Sequence, residues 1–259
     1  MTRLRFGLAA LVVLATLGAR PVAAAQTYVA LGDSYSAGVG TRTYLSDSGS
    51  CQRSPLAYAP KVAARLGYAL TFVACSGARV ADVAANQLPA LTASTAFVTI
   101  SIGGNDAGFG HVISKCAEPW PFTCWGDIDS AQAFIRDTLP GQLDGLYASI
   151  RSRAPAARVV VVGYPRVFNG RDTCNVAARI SAGEQARLND TADLLAATIA
   201  ARAQAHGFGF VNAIPPFVGH AVCDSPEWLN GLSDPVSESY HPNVAGYDAY
   251  TDLVTAALR

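Results

Sequence analysis

The sequence is short of charge, and the charge that it has is balanced. Only 15% of its 259 residues are Asp, Glu, Lys or Arg, and 19 basic residues offset 19 acidic ones. Proteins that bind nucleic acid or an anionic membrane through their overall charge carry an excess of positive residues. The balance therefore gives no electrostatic case for either, and we expect no nucleic acid partner and at most transient contact with lipid surfaces.

No apolar run is long enough to cross a bilayer, which takes about 20 residues. The stretch Phe6–Gly18 falls short of that length and follows Arg3 and Arg5, and Ala23–Ala25 comes shortly after it. A positive start, a short apolar segment and small residues are typical of a secretory signal peptide. We predict that residues 1–25 are a signal peptide, cleaved after Ala25, and that the protein is secreted.

The rest of the chain lacks internal repeats, low-complexity linkers and blocks of like charge that would divide it. Residues 26–259 suit one domain, since single α/β domains of about 200–250 residues are ordinary. We expect this part to be a soluble monomer.

The cysteines lack a metal-binding pattern, because no C-x-x-C pair and no neighbouring histidine is present. Six cysteines after a signal peptide indicate disulfides, although spacing alone leaves the pairing open. The short, Pro-containing loop between Cys116 and Cys124 favours pairing in sequential order. That order gives Cys51–Cys75, Cys116–Cys124 and Cys174–Cys223.

Apolar, β-branched segments alternate with helical patterns along the chain. Several of these segments are apolar throughout, as in strands covered on both faces; they are Tyr28–Leu31, Leu70–Ala74, Phe97–Ile102, Val159–Val162 and Phe208–Val211. Between them, apolar residues recur every three or four positions, as in Leu139, Leu143, Leu146 and Ile150. The alternation predicts a parallel sheet with helices on both faces.

Residues able to do chemistry follow several of the predicted strands. Right-handed crossovers bring the carboxyl ends of parallel strands to one edge, where open α/β sheets bind ligands. Ser34 follows the first strand, Gly77 the second and Asn105 the third, and His241 precedes the closing helix.

These residue types together meet the needs of acyl transfer, namely a nucleophile, a base and donors for an oxyanion. Ser34 carries a hydroxyl, and His241 is a base with an ordinary pKa of about 6.5. Gly77 lets a backbone N–H approach a ligand closely, and Asn105 carries an amide donor. Ser34 alone would indicate only a helix cap, so the prediction depends on the set.

The set resembles the motif blocks of the SGNH hydrolases, also called GDSL esterases and lipases. The matching residues are Gly32-Asp33-Ser34, Gly77, Gly103-Gly104-Asn105-Asp106 and His241-Pro242, in the family's order. The resemblance implies a flavodoxin-like three-layer α/β/α sandwich with a mostly parallel five-stranded sheet. It implies Ser34 as nucleophile, His241 as base, and an oxyanion hole made by Ser34 N–H, Gly77 N–H and the Asn105 side chain. The chain is most similar to secreted bacterial lipases and phospholipases A of this family.

One position departs from the family pattern. The family usually places an Asp three residues before the histidine to orient its ring, and this chain has Glu238 there. Some members use a backbone carbonyl instead, which leaves a Ser–His dyad. The sequence leaves both arrangements open.

The resulting prediction is a secreted serine hydrolase that cleaves carboxylic esters, chiefly of lipids, through an acyl-enzyme and without a cofactor or metal. The alternatives are a carbohydrate O-acetyl esterase and an inactive exported binding module of the same fold. Four aromatic residues near the Cys116–Cys124 loop are expected either to line an acyl pocket or touch lipid, or to pack on the disulfide; they are Phe109, Trp120, Phe122 and Trp125.

Overall fold

A computed structural model describes Thr2 and residues 24–119, 121–171, 174 and 179–259. Almost all of the predicted signal peptide, and Trp120, lie outside the described residues. The signal peptide and the expected role of Trp120 therefore stay predictions. In the part of the chain that is described, no helix is long and apolar enough to span a membrane.

The centre of the fold is a five-stranded sheet in the order β2-β1-β3-β4-β5, and every pairing in it is parallel. The strands are β1 (Thr27–Gly32), β2 (Ala69–Phe72), β3 (Phe97–Ser101), β4 (Arg158–Val162) and β5 (Gly209–Val211). The three inner strands are almost wholly buried, as their uninterrupted apolar sequences predict. The order is that of flavodoxin-like folds, which confirms the predicted class.

Strand ends differ from the predicted ones by one or two residues. The segment predicted as Leu70–Ala74 leaves the sheet after Phe72, because Val73 and Ala74 both donate their N–H groups to the same carbonyl, that of Ala30. Two successive donors on one acceptor interrupt the regular ladder, and the apolar pattern of the sequence does not record that change.

Helices cover both faces of the sheet. They are α1 (Ser34–Ala37), α2 (Tyr58–Leu66), α3 (Val80–Asp82), α4 (Phe109–Cys116), α5 (Trp125–Asp137), α6 (Leu139–Arg153), α7 (Ala182–Ala205), α8 (Ile214–Phe217) and α9 (Val244–Leu258). Helices α2 and α9 pack together in one outer layer, and α5, α6 and α7 form the other. The predicted apolar stripe of α6 is its buried face, and the Ser181–Glu184 capping box begins α7.

Three disulfides join the cysteines in sequential order, which is the pairing that the sequence favours. Cys51–Cys75 lies beside the predicted catalytic edge. It ties a turn at Gly49–Cys51 to the segment that follows β2, two residues before Gly77.

Candidate active site

The turn after β1 places Ser34 at the carboxyl edge of the sheet. Gly32 ends the strand with φ +121°, and a Cβ there would overlap the carbonyl oxygen of Ser101 on β3. Asp33 then caps α1, because its carboxylate accepts a hydrogen bond of 3.0 Å from the Tyr35 N–H. Ser34 follows as the first residue of α1, so glycine, cap and serine form one tight turn.

Ser34 and His241 are in direct contact across the site. The Ser34 Oγ lies 2.8 Å from His241 Nε2, and His241 Nδ1 lies 2.9 Å from the carbonyl oxygen of Ser239. A carbonyl oxygen only accepts hydrogen bonds, so Nδ1 must carry the proton and Nε2 must be the acceptor. The Ser34 hydroxyl therefore donates to a nitrogen that is free to take its proton.

The surroundings keep His241 neutral. Burial lowers the pKa of its imidazole to about 4, although the hydrogen bond to Ser239 acts in the opposite direction. A neutral ring at neutral pH is the form that acts as a base.

Glu238 does not orient the His241 ring. Its carboxylate is 1% exposed and accepts a hydrogen bond from the Tyr44 hydroxyl, while Glu238 Oε2 has no partner in the described part of the chain. The short helical turn Val236–Glu238 ends with the Ser239 N–H bonded to Val236 O, which turns the Ser239 carbonyl towards His241. Of the two arrangements left open by the sequence, the backbone carbonyl is the one that lies within hydrogen-bond distance of His241 Nδ1.

Three donors gather beside Ser34. Gly77 has φ +77°, a conformation that favours glycine, and neither its N–H nor that of Ser34 donates to an acceptor within the described residues. Asn105 donates one N–H of its side-chain amide to Ala78 O at 3.0 Å, which orients the group and leaves the second N–H for a ligand. All three residues border one cavity.

Two buried side chains that sequence reasoning missed hold this turn. Gln87 accepts from the Gly32 N–H at 2.7 Å and donates to Gly32 O at 2.9 Å. The Tyr164 hydroxyl donates to Asp33 Oδ2 at 2.5 Å and accepts from the Gly104 N–H at 3.3 Å. Gln87 gave no signal in the sequence, whereas Tyr164 lies two residues after β4, at the carboxyl edge of the sheet where site residues are expected.

Burial also raises the pKa of Asp33 to about 7, despite its hydrogen bonds from Tyr164 and Tyr35. This carboxyl braces the turn and does not contact His241.

A cavity of about 420 Å³ opens beside Ser34 and His241. Its walls are mostly apolar; among the lining residues are Ala107, Phe109, Val112, Ile113, Ala131, Ile135, Val167, Phe168, Leu188, Ala192 and Leu195. Of the aromatic residues considered from the sequence, Phe109 lines this cavity, whereas Phe122 and Trp125 are 63% and 41% exposed. Within the described ranges, no cluster of three or more His, Cys, Asp or Glu is arranged to hold a metal ion.

Comparison with known proteins agrees with this geometry. A sequence model of the GDSL-like Lipase/Acylhydrolase family matches residues 30–249. The chain belongs to this family. Membership confirms the resemblance found from the motif blocks and makes the protein a carboxylic ester hydrolase.

Several GDSL relatives match over most of their length. A lipase of Streptomyces rimosus is 46% identical over 223 residues, which are 86% of this chain and 82% of the relative. Lipase 1 of Streptomyces coelicolor is 44% identical over 241 residues, covering 92% and 88% of the two chains.

Solved structures show the same GDSL fold. A phospholipase A1 from Streptomyces albidoflavus superposes with a TM-score of 0.85 at 41% identity, covering 90% of this chain and 100% of that one. An extracellular lipase from Streptomyces rimosus has the same TM-score and coverage at 45% identity. An acetyl-xylooligosaccharide esterase from Geobacillus, at 15% identity and a TM-score of 0.53, covers 90% of this chain and 94% of its own and shares the fold alone.

Proposed function

We propose that this protein is a secreted, monomeric lipase or esterase that hydrolyses lipid esters without a cofactor. Ser34 is the nucleophile, His241 the general base and acid, and Ser34 N–H, Gly77 N–H and Asn105 form the oxyanion hole. The observation that carries the proposal is the contact of 2.8 Å between Ser34 Oγ and His241 Nε2 at the mouth of an apolar cavity.

The reaction follows from the proton positions at this dyad. Ser34 Oγ bonds to the ester carbonyl carbon while its proton passes to His241 Nε2, and the carbonyl electrons move to the oxygen held by the three donors. The acyl–oxygen bond then breaks, and Nε2–H protonates the departing alcohol. Water, activated by the same nitrogen, releases the acid. Throughout, the Ser239 carbonyl accepts the hydrogen bond from Nδ1 and stabilises the charged ring. The mechanism therefore needs no carboxylate side chain bonded to His241.

The apolar cavity favours a long acyl chain over acetate. Each buried CH₂ group contributes about 0.8 kcal/mol, or about fourfold in binding, whereas an acetyl group has no chain to bury there. The lipase and phospholipase names of similar Streptomyces proteins support the same substrate class.

Export is supported by the signal-peptide pattern of residues 1–25 and by three disulfides, which persist in oxidising compartments. The similar Streptomyces rimosus enzyme is itself described as extracellular. Sequencing of the exported protein should find Gln26 at its N-terminus, and an intact Met1 in the medium would contradict the proposed cleavage.

A chain-length series tests the substrate class. On p-nitrophenyl esters, kcat/KM should rise from acetate to longer acyl chains until the cavity is filled. Ala192→Trp, which places a large ring in the wall of the cavity, should reduce activity on the long esters and spare acetate. A preference for acetate in the wild type would instead support a carbohydrate O-acetyl esterase.

A fluorophosphonate probe tests the nucleophile. The wild type should be labelled, and Ser34→Ala should lose both labelling and several orders of magnitude in turnover. Folded wild-type protein that takes no label would support the inactive binding module.

A further inference from the structure

A second cavity meets the first at the oxyanion hole. It has a volume of about 530 Å³ and shares Ser76 and Gly77 with the apolar cavity. Its other lining residues include Arg53, Asp82, Asn86 and Gln87, so its walls carry charged and amide groups. Two spaces of different chemistry therefore meet at the segment where the ester carbonyl is held.

Arg53 is the cation of this second cavity. It is half-buried, and its guanidinium has no hydrogen-bond or ion-pair partner within the described ranges. Of the other polar side chains, Asp82 accepts from the Arg79 N–H at 2.9 Å through Oδ2, and Gln87 is bonded to both polar groups of Gly32. Ser76 and Asn86 add neutral donors, and Arg53 is the one positively charged side chain among the residues that line this cavity.

The backbone fixes Arg53 relative to the oxyanion hole. The Cys51–Cys75 disulfide ties its segment to the residue before Ser76, and the Ser76 N–H donates to Cys51 O at 3.0 Å. On the other side, Arg53 O accepts from the Leu45 N–H at 2.8 Å. The guanidinium therefore extends from a segment that is anchored to the catalytic edge.

An ester bound for catalysis extends from its carbonyl in two directions. With the carbonyl oxygen at Gly77 and the acyl chain in the apolar cavity, the alcohol part must occupy other space beside the same segment. The second cavity is such a space. A partly desolvated, unpaired guanidinium offers the planar set of N–H donors that binds phosphate through paired hydrogen bonds.

We propose that the second cavity receives the alcohol part of the substrate and that Arg53 binds a phosphate group on it, so that glycerophospholipids are preferred over neutral glycerides. The proposal rests on the proposed function, because it uses the same Ser34 site and the same placement of the acyl chain. It assigns a specificity role to Arg53 and leaves the bond-breaking steps unchanged.

The test compares two substrates that differ only in the phosphate-bearing head group. Dihexanoyl-phosphatidylcholine and dihexanoylglycerol are used as dissolved monomers, which removes the effect of surface charge on a micelle. The variants are Arg53→Gln and Arg53→Lys, with Arg153→Gln as the matched control. Arg153 ends α6 just before β4 begins, at the opposite edge of the sheet, so this control removes the same charge far from the site.

Arg53→Gln should lower kcat/KM for the phospholipid by about tenfold to a hundredfold, the effect of losing a charge-assisted hydrogen bond. The same variant should change kcat/KM for dihexanoylglycerol by less than about twofold, which also shows that it folds. For the phospholipid, kcat/KM of Arg53→Lys should lie between the values of the wild type and Arg53→Gln. Arg153→Gln should match the wild type on both substrates.

Equal losses on both substrates, or none on either, would overturn the role of Arg53. A wild type that hydrolyses dihexanoylglycerol but prefers it to the phospholipid would reject the phosphate site alone. A wild type that hydrolyses neither substrate would reject the proposed function itself.

Discussion

The buried state of His241 predicts an unusual dependence of activity on pH. Only the neutral ring can take the Ser34 proton, so acidification should remove activity as His241 becomes protonated. Burial lowers the pKa of this ring from 6.5 to about 4. Activity should therefore persist well below the pH at which an exposed histidine is lost, and it should be half-maximal near pH 4.

The size of the effect at pH 5 makes the test decisive. A ring with a pKa of about 4 is about 90% neutral at that pH, whereas a ring with the ordinary value of 6.5 is about 3% neutral. A ring with the ordinary value is itself only about three-quarters neutral at pH 7, so the activity at pH 5 relative to pH 7 differs by about twentyfold between the two cases. That ratio is far larger than the error of a steady-state assay.

The measurement is kcat/KM on a soluble short-chain ester between about pH 3.5 and pH 8, because kcat/KM reports groups of the free enzyme. Circular dichroism at each pH checks that the protein stays folded. A half-maximal value near pH 6.5 in folded protein would refute the reasoning, since it would show that the fold does not shield His241 from water.

Asp33 is a second group that could titrate within the pH range of this assay, because burial raises the pKa of its carboxyl to about 7. A variant at this position therefore serves as the control. The Asp33 carboxylate accepts hydrogen bonds from Tyr35 N–H and Tyr164 OH rather than from the dyad. Asp33→Asn should therefore leave the loss of activity near pH 4 in place. Movement of that loss in the variant would assign the titration to Asp33.

Two further substitutions test the remaining parts of the site. Asn105→Ala should lower kcat by about 10²–10³ while KM changes little, because the lost amide acts on the oxyanion; a large rise in KM with kcat unchanged would contradict this role. Glu238→Ala should cost less than about tenfold in kcat, because Ser239 O is the partner of His241 Nδ1. A loss near 10⁴-fold, with fold and melting temperature preserved, would show that the carboxylate orients the ring after all.

The sheet was predictable because its inner strands are covered on both faces and read as uninterrupted apolar segments. The same reasoning placed Ser34, Gly77 and Asn105 at one edge, since parallel strands present their carboxyl ends together. Hydrophobic periodicity alone does not predict His241 as a site residue. It was found because its residue type completes the chemistry that the other three residues begin.

The details that sequence reasoning missed are contacts between distant segments. Gln87 is 55 residues from Gly32, and Tyr164 is 131 residues from Asp33. Nothing local distinguishes either side chain, because the partner is brought near only by packing of the whole domain. Sequence reasoning could not decide between Glu238 and Ser239 as the partner of His241 for the same reason. The local turn and the contact of Glu238 with the distant Tyr44 determine which group reaches the ring.

The dyad joins residues that are 207 positions apart in the chain. A polypeptide that has not yet folded its last segment holds a serine with ordinary hydroxyl reactivity and no base to activate it. Completion of the fold is therefore the activation step of this enzyme. Its reactivity towards esters therefore depends on the last segment of the chain having folded onto the first.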